Sequence, residues 1–209
     1  MPHGRLVALK AAVWAASLAP LLLLAHRAAT DDLGANPISA VTTWLGDWAL
    51  RLLLASLAMT PLHLLTGASW PLALRRLLGL FAFFYASLHL AVWIGLDHFF
   101  DWAAMAADVV KRPYITAGMS AFVLLLPLAA TSTRGMMRRL GGRAWRRLHR
   151  LVYLVGILAV LHYAWLAKVG VLDPYYYAAV LALLLGVRLV AAARRRLTRR
   201  RARAAARAG

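Results

Sequence analysis

Histidines inside apolar segments are the residues of this sequence best suited to chemistry. His89 lies in LFAFFYASLHLAVWIGL, and His149 and His162 lie in RRLHRLVYLVGILAVLHYAWL, stretches that are otherwise mostly hydrophobic. Ionisable side chains are rare within membrane-spanning helices and by default indicate a functional site. A neutral imidazole can bind a metal ion or haem iron, or relay a proton, so these three positions are the first candidate site residues.

Depth along the helices decides which histidines can meet. Counted from the same side, His89 lies about 18 Å and His162 about 21 Å along their segments, at about 1.5 Å per residue. Two imidazoles at matched depth on neighbouring helices suit a b-type haem. Zinc is disfavoured because it usually takes three or four protein ligands, and no carboxylate lies at that depth. The alternative is that each histidine is hydrogen-bonded to a neighbouring helix without binding a cofactor.

His149 lies at a different level, about 20 Å from His162 along one helix and about 140° around it. At the corresponding level of the segment that carries His89, the sequence has Arg75 and Arg76 and no histidine. The second ligand of a lower site would be His63, or the iron would be five-coordinate, or no haem binds there. An arginine at this place could instead pair with a haem propionate or a phosphate.

Six apolar segments position these residues in a chain of 209 residues that is 63% hydrophobic. Each is long enough to cross a bilayer as a helix, which takes about 20 residues. The segments are Leu6–Ala25, Trp44–Leu65, Leu77–Leu96, Tyr114–Thr131, Leu148–Ala167 and Tyr175–Ala193. We interpret the first as an uncleaved span because no convincing cleavage site follows it. The sequence thus predicts an all-α bundle of six membrane spans over residues 1–193, followed by a basic tail over 194–209.

The charge distribution predicts the orientation. Net charge is +18, but only 15% of the residues are charged, and there is no cysteine, which excludes disulfides and thiolate-bound haem or iron–sulfur clusters. Most of the basic residues lie before or at the start of span one, between spans two and three, between spans four and five, and in the tail. All seven acidic residues are aspartates, on the opposite side or at span ends facing it. The positive-inside rule therefore predicts that both termini are cytoplasmic. For the arginine-rich tail, we favour anionic lipid over nucleic acid as the partner.

Three further residues have predicted structural roles. Arg51 lies four residues after Asp47, so the two side chains are expected to pair on one helix face. Arg188 is expected to extend to the inner membrane surface. His98, at the outer end of span three, is expected to be solvated.

Several stretches resemble the MsrQ family, the haem-binding membrane subunits of bacterial MsrPQ methionine sulfoxide reductase systems, formerly called YedZ. They are NPISAVTTWLGDWALRLLLASLAMTPL, RRLLGLFAFFYASLHL, VVKRPYITAGM, PLAATSTRGMMRRLG and RRLHRLVYLVGILAVLH. The resemblance covers most of the chain, from about Asn36 to Lys168. The wider group is the ferric reductase-like transmembrane domain, which NADPH oxidases share.

The resemblance implies that His89, His149 and His162 are haem ligands, with one haem b or two. The NADPH oxidase relatives carry two histidines on each of two helices; here Arg75 or Arg76 replaces one of them, which puts the second haem in question. The family also implies location in the bacterial inner membrane and electron transfer to MsrP, a periplasmic molybdopterin enzyme. The implied donors are the quinone pool or a cytoplasmic flavin reductase. FMN rests on the resemblance alone, because no segment is a recognisable FMN motif.

Two other functions remain open at this stage. A small transporter with a histidine proton relay would be expected to have carboxylates deep within its spans, and the sequence has none there. A self-sufficient quinol-linked metal reductase would need an outer substrate site, and we find no convincing cluster for one. An electron-transfer subunit without a substrate site of its own is the reading we favour.

Overall fold

The computed structural model describes residues 3–168 and 170–208. Over these residues it contains eight α-helices and no strand: α1 (His3–Ala29), α2 (Pro37–Thr66), α3 (Trp70–Val92), α4 (Trp102–Lys111), α5 (Pro113–Ala130), α6 (Arg134–Leu148), α7 (Leu151–Leu166) and α8 (Asp173–Ala208). A π-helical turn, Trp93–Asp97, continues α3. Five helices are long and apolar enough to cross a membrane, and the bent pair α6–α7 would make a sixth. The predicted all-α, multi-pass architecture is confirmed.

Residues that favour helix ends define the limits of α2. The side chain of Asn36 accepts a hydrogen bond from the Ser39 amide at 3.0 Å, and Pro37 takes the first helical position, where no amide donor is needed. At the other end Gly67 has a φ of 70° and donates its amide to the His63 carbonyl at 2.9 Å. A glycine adopts this left-handed conformation without a Cβ clash. These ends set which residues of α2 lie in the middle of the bundle.

The long helices pack as two pairs. The most extensive helix contacts in the described chain are those of α2 with α3 and of α5 with α7. Contacts between the pairs, α3 with α5 and α2 with α7, are smaller. A central core of leucine, phenylalanine and alanine side chains joins them, and α1 closes over α2 and α3. Tyr85 of α3 is fully buried and donates its hydroxyl to the Ser17 carbonyl at 2.7 Å, which ties α3 to α1.

A second, smaller core holds α8 against α2 and α7. Its buried members are Leu50, Leu54, Leu57, Val160 and Leu181. Gly156 of α7 is also buried here, and its lack of a side chain makes room for leucines of the other two helices. Large apolar side chains elsewhere on the surface, such as Leu183 and Leu189, are exposed, as is usual for a bundle surrounded by lipid.

The two ends of the bundle differ in charge. Helices joined by short turns run antiparallel, so successive links lie at alternate ends. The basic end contains the α2–α3 turn, the arginine-rich helix α6 and the tail part of α8. The aspartate end contains the α1–α2 link, the segment 93–112 and the α7–α8 link, and six of the seven aspartates lie there; the exception is Asp47, within α2.

Span five differs from the sequence prediction. It was expected to be continuous over Leu148–Ala167, but α6 ends at Leu148, α7 begins at Leu151, and the two axes are bent by 44°. The prediction that His149 and His162 lie on one helix is therefore wrong. The physical reason is that α6 carries arginine in nearly every turn, so it cannot continue a hydrocarbon span and bends away from it.

We predict that Gly156→Val destabilises the bundle by about 1–3 kcal/mol, the usual cost of overpacking a core. A Cβ at Gly156 would lie 3.2 Å from Leu181 Cδ1 and 3.4 Å from Leu57 Cδ1, and the valine methyl groups would reach further. Gly186→Val in α8 is the matched control, because a Cβ there meets nothing within 4 Å. Unfolding in detergent measures both variants, and equal stability loss in the two would contradict the packing argument.

Candidate functional site

His89 and His162 face each other between the two helix pairs. Their ring centres are 6.1 Å apart and their planes are 83° apart. His89 comes from the last turn of α3 and His162 from the end of α7, so each pair contributes one imidazole. The structure thus brings together His89 and His162, the two histidines that were expected to meet because they lie at matched depth.

A backbone carbonyl and a glycine of α2 hold His89. Its Nδ1 donates to the carbonyl oxygen of Thr42 at 2.8 Å. Gly46 lies four residues later, one turn along the same face, and a Cβ there would lie 3.1 Å from both Nδ1 and Cε1 of His89. That distance is shorter than ordinary van der Waals contact. The imidazole therefore packs directly on the α2 backbone.

The same arrangement holds His162 on α5. Its Nδ1 donates to the carbonyl oxygen of Tyr114 at 2.6 Å. Gly118, again four residues after the acceptor, would place a Cβ only 2.7 Å from Nδ1 of His162, which is too close without movement. We call each combination of carbonyl and glycine a histidine notch: Thr42 with Gly46, and Tyr114 with Gly118. Sequence reasoning missed these four residues, although the four-residue spacing from Thr or Tyr to Gly is visible in the sequence.

The notches determine which ring nitrogen is available. A carbonyl oxygen can only accept, so Nδ1 carries the proton in both rings and Nε2 of each neutral ring keeps its lone pair. Among the described residues, no group is hydrogen-bonded to Nε2 of His89 or His162. A hydrogen bond from the far nitrogen to a carbonyl is also the usual arrangement around a metal-bound histidine, where it fixes the ring orientation.

The separation of the two rings fits a metal held between them. Two metal–imidazole bonds of about 2 Å, plus roughly 1.1 Å from each nitrogen to its ring centre, give about 6.2 Å between ring centres. The observed value is 6.1 Å. Within the described chain, no group of three or more His or Asp side chains could hold a metal ion. The pair therefore suits an iron whose other ligands belong to a macrocycle, as in haem.

His149 lies in the break between α6 and α7, apart from this pair. Its Nε2 is 3.0 Å from the Thr131 hydroxyl, at the end of α5, and its ring stacks on Trp145 with centres 4.0 Å apart. Trp145 in turn donates its indole N–H to the Thr131 carbonyl at 3.0 Å. His63, the suggested second ligand of a lower site, is hydrogen-bonded through Nδ1 to the Ala68 carbonyl at 2.7 Å.

The two arginines predicted near the lower level differ in exposure. Arg75 is half-buried and donates from Nη1 to the Thr60 hydroxyl at 3.4 Å, and its carbonyl accepts from the Ser56 hydroxyl at 2.8 Å. Arg76 is exposed. Arg75 is close enough to His149 for its positive charge to act on that ring.

The expected pair of Arg51 with Asp47 is confirmed at 3.1 Å. Arg51 also donates from Nε to the Tyr177 hydroxyl of α8 at 2.9 Å, a contact that the sequence does not reveal.

Two other expectations are wrong. Arg188 does not extend to the surface: it donates to the Tyr153 hydroxyl at 3.0 Å and to the Leu57 carbonyl, because both acceptors lie within its reach inside the bundle. The side chain of His98 is only 14% exposed, because Asp108 of α4 lies beside it, with a carboxylate oxygen 3.4 Å from its Nε2.

Comparison with known proteins gives two kinds of match. The family described as ferric reductase like transmembrane component matches residues 45–160, which include His89, His149, Gly46 and the Tyr114–Gly118 notch; Thr42 and His162 lie just outside that range. A Rhodospirillum rubrum protein named protein-methionine-sulfoxide reductase heme-binding subunit MsrQ is 58% identical over 179 residues, 86% of each chain. A protein of the same name from Ralstonia nicotianae is 50% identical over 191 residues, covering 90% of this chain and 88% of its own.

Both kinds of match extend over more than half of the chain, and the relatives cover most of it. They agree with the all-helical bundle. The chain belongs to the MsrQ family of ferric reductase-like transmembrane proteins.

Proposed function

We propose that this chain is a membrane electron-transfer subunit that binds haem b between His89 and His162. The observation that carries the proposal is a pair of neutral imidazoles that face each other with ring centres 6.1 Å apart, each held by a histidine notch. The names of the relatives, heme-binding subunits of a methionine sulfoxide reductase, support the same cofactor. When bound, haem supplies one-electron chemistry by cycling between ferric and ferrous iron.

The chain's own residues prepare this site in three ways. The Thr42 and Tyr114 carbonyls keep the proton on Nδ1, so that Nε2 of each histidine keeps the lone pair that would bind the iron. The notches fix both rings, which limits reorganisation during electron transfer. Apolar side chains such as Phe83 and Phe122, whose rings stack 5.8 Å apart, help keep water out of the surrounding bundle.

His149, Arg75 and Arg76 belong to the proposal as residues of a second cofactor level. His149 would be the ligand of a second haem, and the two arginines would bind acidic groups of a cofactor. His149 is hydrogen-bonded to the Thr131 hydroxyl and His63 to the Ala68 carbonyl. A second haem held by these two histidines would therefore require their present contacts to rearrange. We therefore rank this level below the His89–His162 site. FMN enters the proposal only through family resemblance.

The proposed pathway crosses the bacterial inner membrane from the basic end to the aspartate end. The donor would be the quinone pool or a cytoplasmic flavin reductase, and the acceptor MsrP, a periplasmic molybdopterin enzyme that repairs oxidised methionine in proteins. The relatives' names imply a reductase system and hence a partner subunit. The chain would thus transfer electrons without a substrate site of its own. Clustered arginine at the basic end supports the lipid surface as a further partner, with no nucleic acid involved.

We predict that His89→Ala and His162→Ala each remove the main haem signal, because both imidazoles would be needed to hold the haem between the two helix pairs. His149→Ala should retain at least part of it. A pyridine haemochromogen assay with a reduced-minus-oxidised spectrum measures haem per chain in purified protein. About one haem per chain indicates the central site alone, and about two would add the His149 level. Folded protein without haem, even after supplementation, would reject the proposed function.

We predict that Gly118→Ala lowers haem content and shifts the haem midpoint potential, and that Gly46→Ala does so to a smaller extent. A Cβ would lie 2.7 Å from the His162 ring in the first case and 3.1 Å from the His89 ring in the second. In an exposed helix, Gly→Ala favours the helix by about 1 kcal/mol, so a loss would come from displaced imidazole. Gly186→Ala is the control, and the same haem content and potential in all three variants would contradict the role of the notches.

We predict that both termini face the cytoplasm and that the segment 93–112 faces the periplasm. The reason is that the arginine clusters lie at one end of the bundle and nearly all the aspartates at the other. Alkaline phosphatase fused within 93–112 should be active, and the same reporter fused after the tail should be inactive. The reverse pattern would invert the proposed direction of electron transfer.

A further inference from the structure

Two guanidinium groups are held on the same turn of α2 at the basic end of the bundle. Arg188 of α8 donates to the Leu57 carbonyl and to the Tyr153 hydroxyl. Arg75 of α3 donates to the Thr60 hydroxyl. Leu57 and Thr60 are three residues apart, so the Leu57 carbonyl and the Thr60 hydroxyl lie within one turn of α2.

Among the described residues, no carboxylate side chain is placed to neutralise this pair. The sequence contains no glutamate, and its seven aspartates lie at the aspartate end or, in the case of Asp47, within α2. Asp47 is ten residues before Leu57, about 15 Å along the helix, and is paired with Arg51. None of the ion pairs in the described part of the chain includes Arg75 or Arg188.

The two guanidinium groups also have fewer acceptors than N–H donors. Nε of Arg188 is enclosed and has no partner among the described residues. The single bond from Arg75 to Thr60 is long, at 3.4 Å. A guanidinium has five N–H donors and no acceptor, and a buried charge without a counter-charge is strongly unfavourable. Protein groups alone therefore satisfy this pair poorly.

The neighbouring side chain adds a hydroxyl and no negative charge: Tyr153, half-buried, accepts from Arg188 and can itself donate. Simple extension of Arg188 into the lipid headgroups does not explain the arrangement, since its bonds are made to Leu57 and Tyr153 inside the bundle. An acidic group from outside the chain would supply both the missing charge and the missing acceptors.

We infer that Arg75 and Arg188 together form a binding site for one anionic oxygen group, a phosphate or a carboxylate. Guanidinium forks bind such groups through paired hydrogen bonds, and two of them can hold one group from two sides. Three sources share this chemistry: an anionic phospholipid, the phosphate of FMN and a haem propionate. The site goes beyond the proposed function because it includes Arg188. An anionic lipid would occupy it even in a chain that binds no haem.

The test compares Arg75→Gln, Arg188→Gln and the double variant with the unaltered chain. Arg138→Gln is the matched control, because Arg138 is exposed on α6 at the same end and its loss removes the same charge. The full chain in nanodiscs is titrated with phosphatidylglycerol against phosphatidylcholine, by native mass spectrometry. It is also titrated with FMN against riboflavin, by fluorescence, and haem content is measured in each variant.

The expected result is a loss of affinity of roughly tenfold to a hundredfold for one of the acidic probes in each of the two glutamine variants. Arg138→Gln and both neutral probes should show no such change. If only phosphatidylglycerol binding depends on the two arginines, the anionic group is a lipid headgroup. If only FMN binding depends on them, it is the flavin phosphate, and if only haem content depends on them, it is a haem propionate. Equal affinity and haem content in all variants would overturn the inference.

Two further readouts keep the result interpretable. If the glutamine variants do not fold, Arg75→Lys and Arg188→Lys keep the charge but lose the fork, and weaker binding of the same probe is expected. Unchanged binding in both lysine variants would also overturn the paired-guanidinium site. The outcome is separable from that of the proposed function: a chain that binds an acidic probe through these arginines but takes up no haem keeps the anion site and rejects the haem subunit.

Discussion

Within a bilayer, a buried N–H group must find its acceptor inside the protein, and this constraint governs how the central histidines are held. The helix carbonyls of Thr42 and Tyr114 meet it, because a carbonyl oxygen has two lone pairs and can accept a side-chain bond beside its helical one. The ring can reach the carbonyl only by lying against the backbone. Gly46 and Gly118, one turn further along, leave the space for that approach.

The same interaction explains how the helices are paired. His89 is carried by α3 and held by α2, whereas His162 is carried by α7 and held by α5. These are also the two most extensively packed helix pairs of the described chain. Each pair is thus a unit with one imidazole, and the two imidazoles meet where the units join. A cofactor bound there would link the two units, so its binding and the stability of the bundle would be coupled.

The charge asymmetry that orients a membrane protein has a second consequence in this chain. With every aspartate near the opposite end or in the opposite half, arginines that turn into the bundle at the basic end have no carboxylate to meet. Arg51 is paired with Asp47, whereas Arg75 and Arg188 rest on hydroxyl and carbonyl oxygens. Dipoles compensate a buried charge less well than a counter-charge does. This imbalance distinguishes the basic end from the histidine site, where each Nδ1 donor has an acceptor.

Sequence by itself determined the helical class, the apolar spans and the matched depth of His89 and His162, because hydropathy and helix rise are local properties. It also determined the Arg51–Asp47 pair, which depends only on four-residue spacing. Tertiary structure alone decided the notches, the break before α7 that separates His149 from the helix of His162, and the inward course of Arg188. Those features depend on which backbone or side-chain group of another helix lies within hydrogen-bonding distance, and a single sequence does not encode that distance in any local pattern.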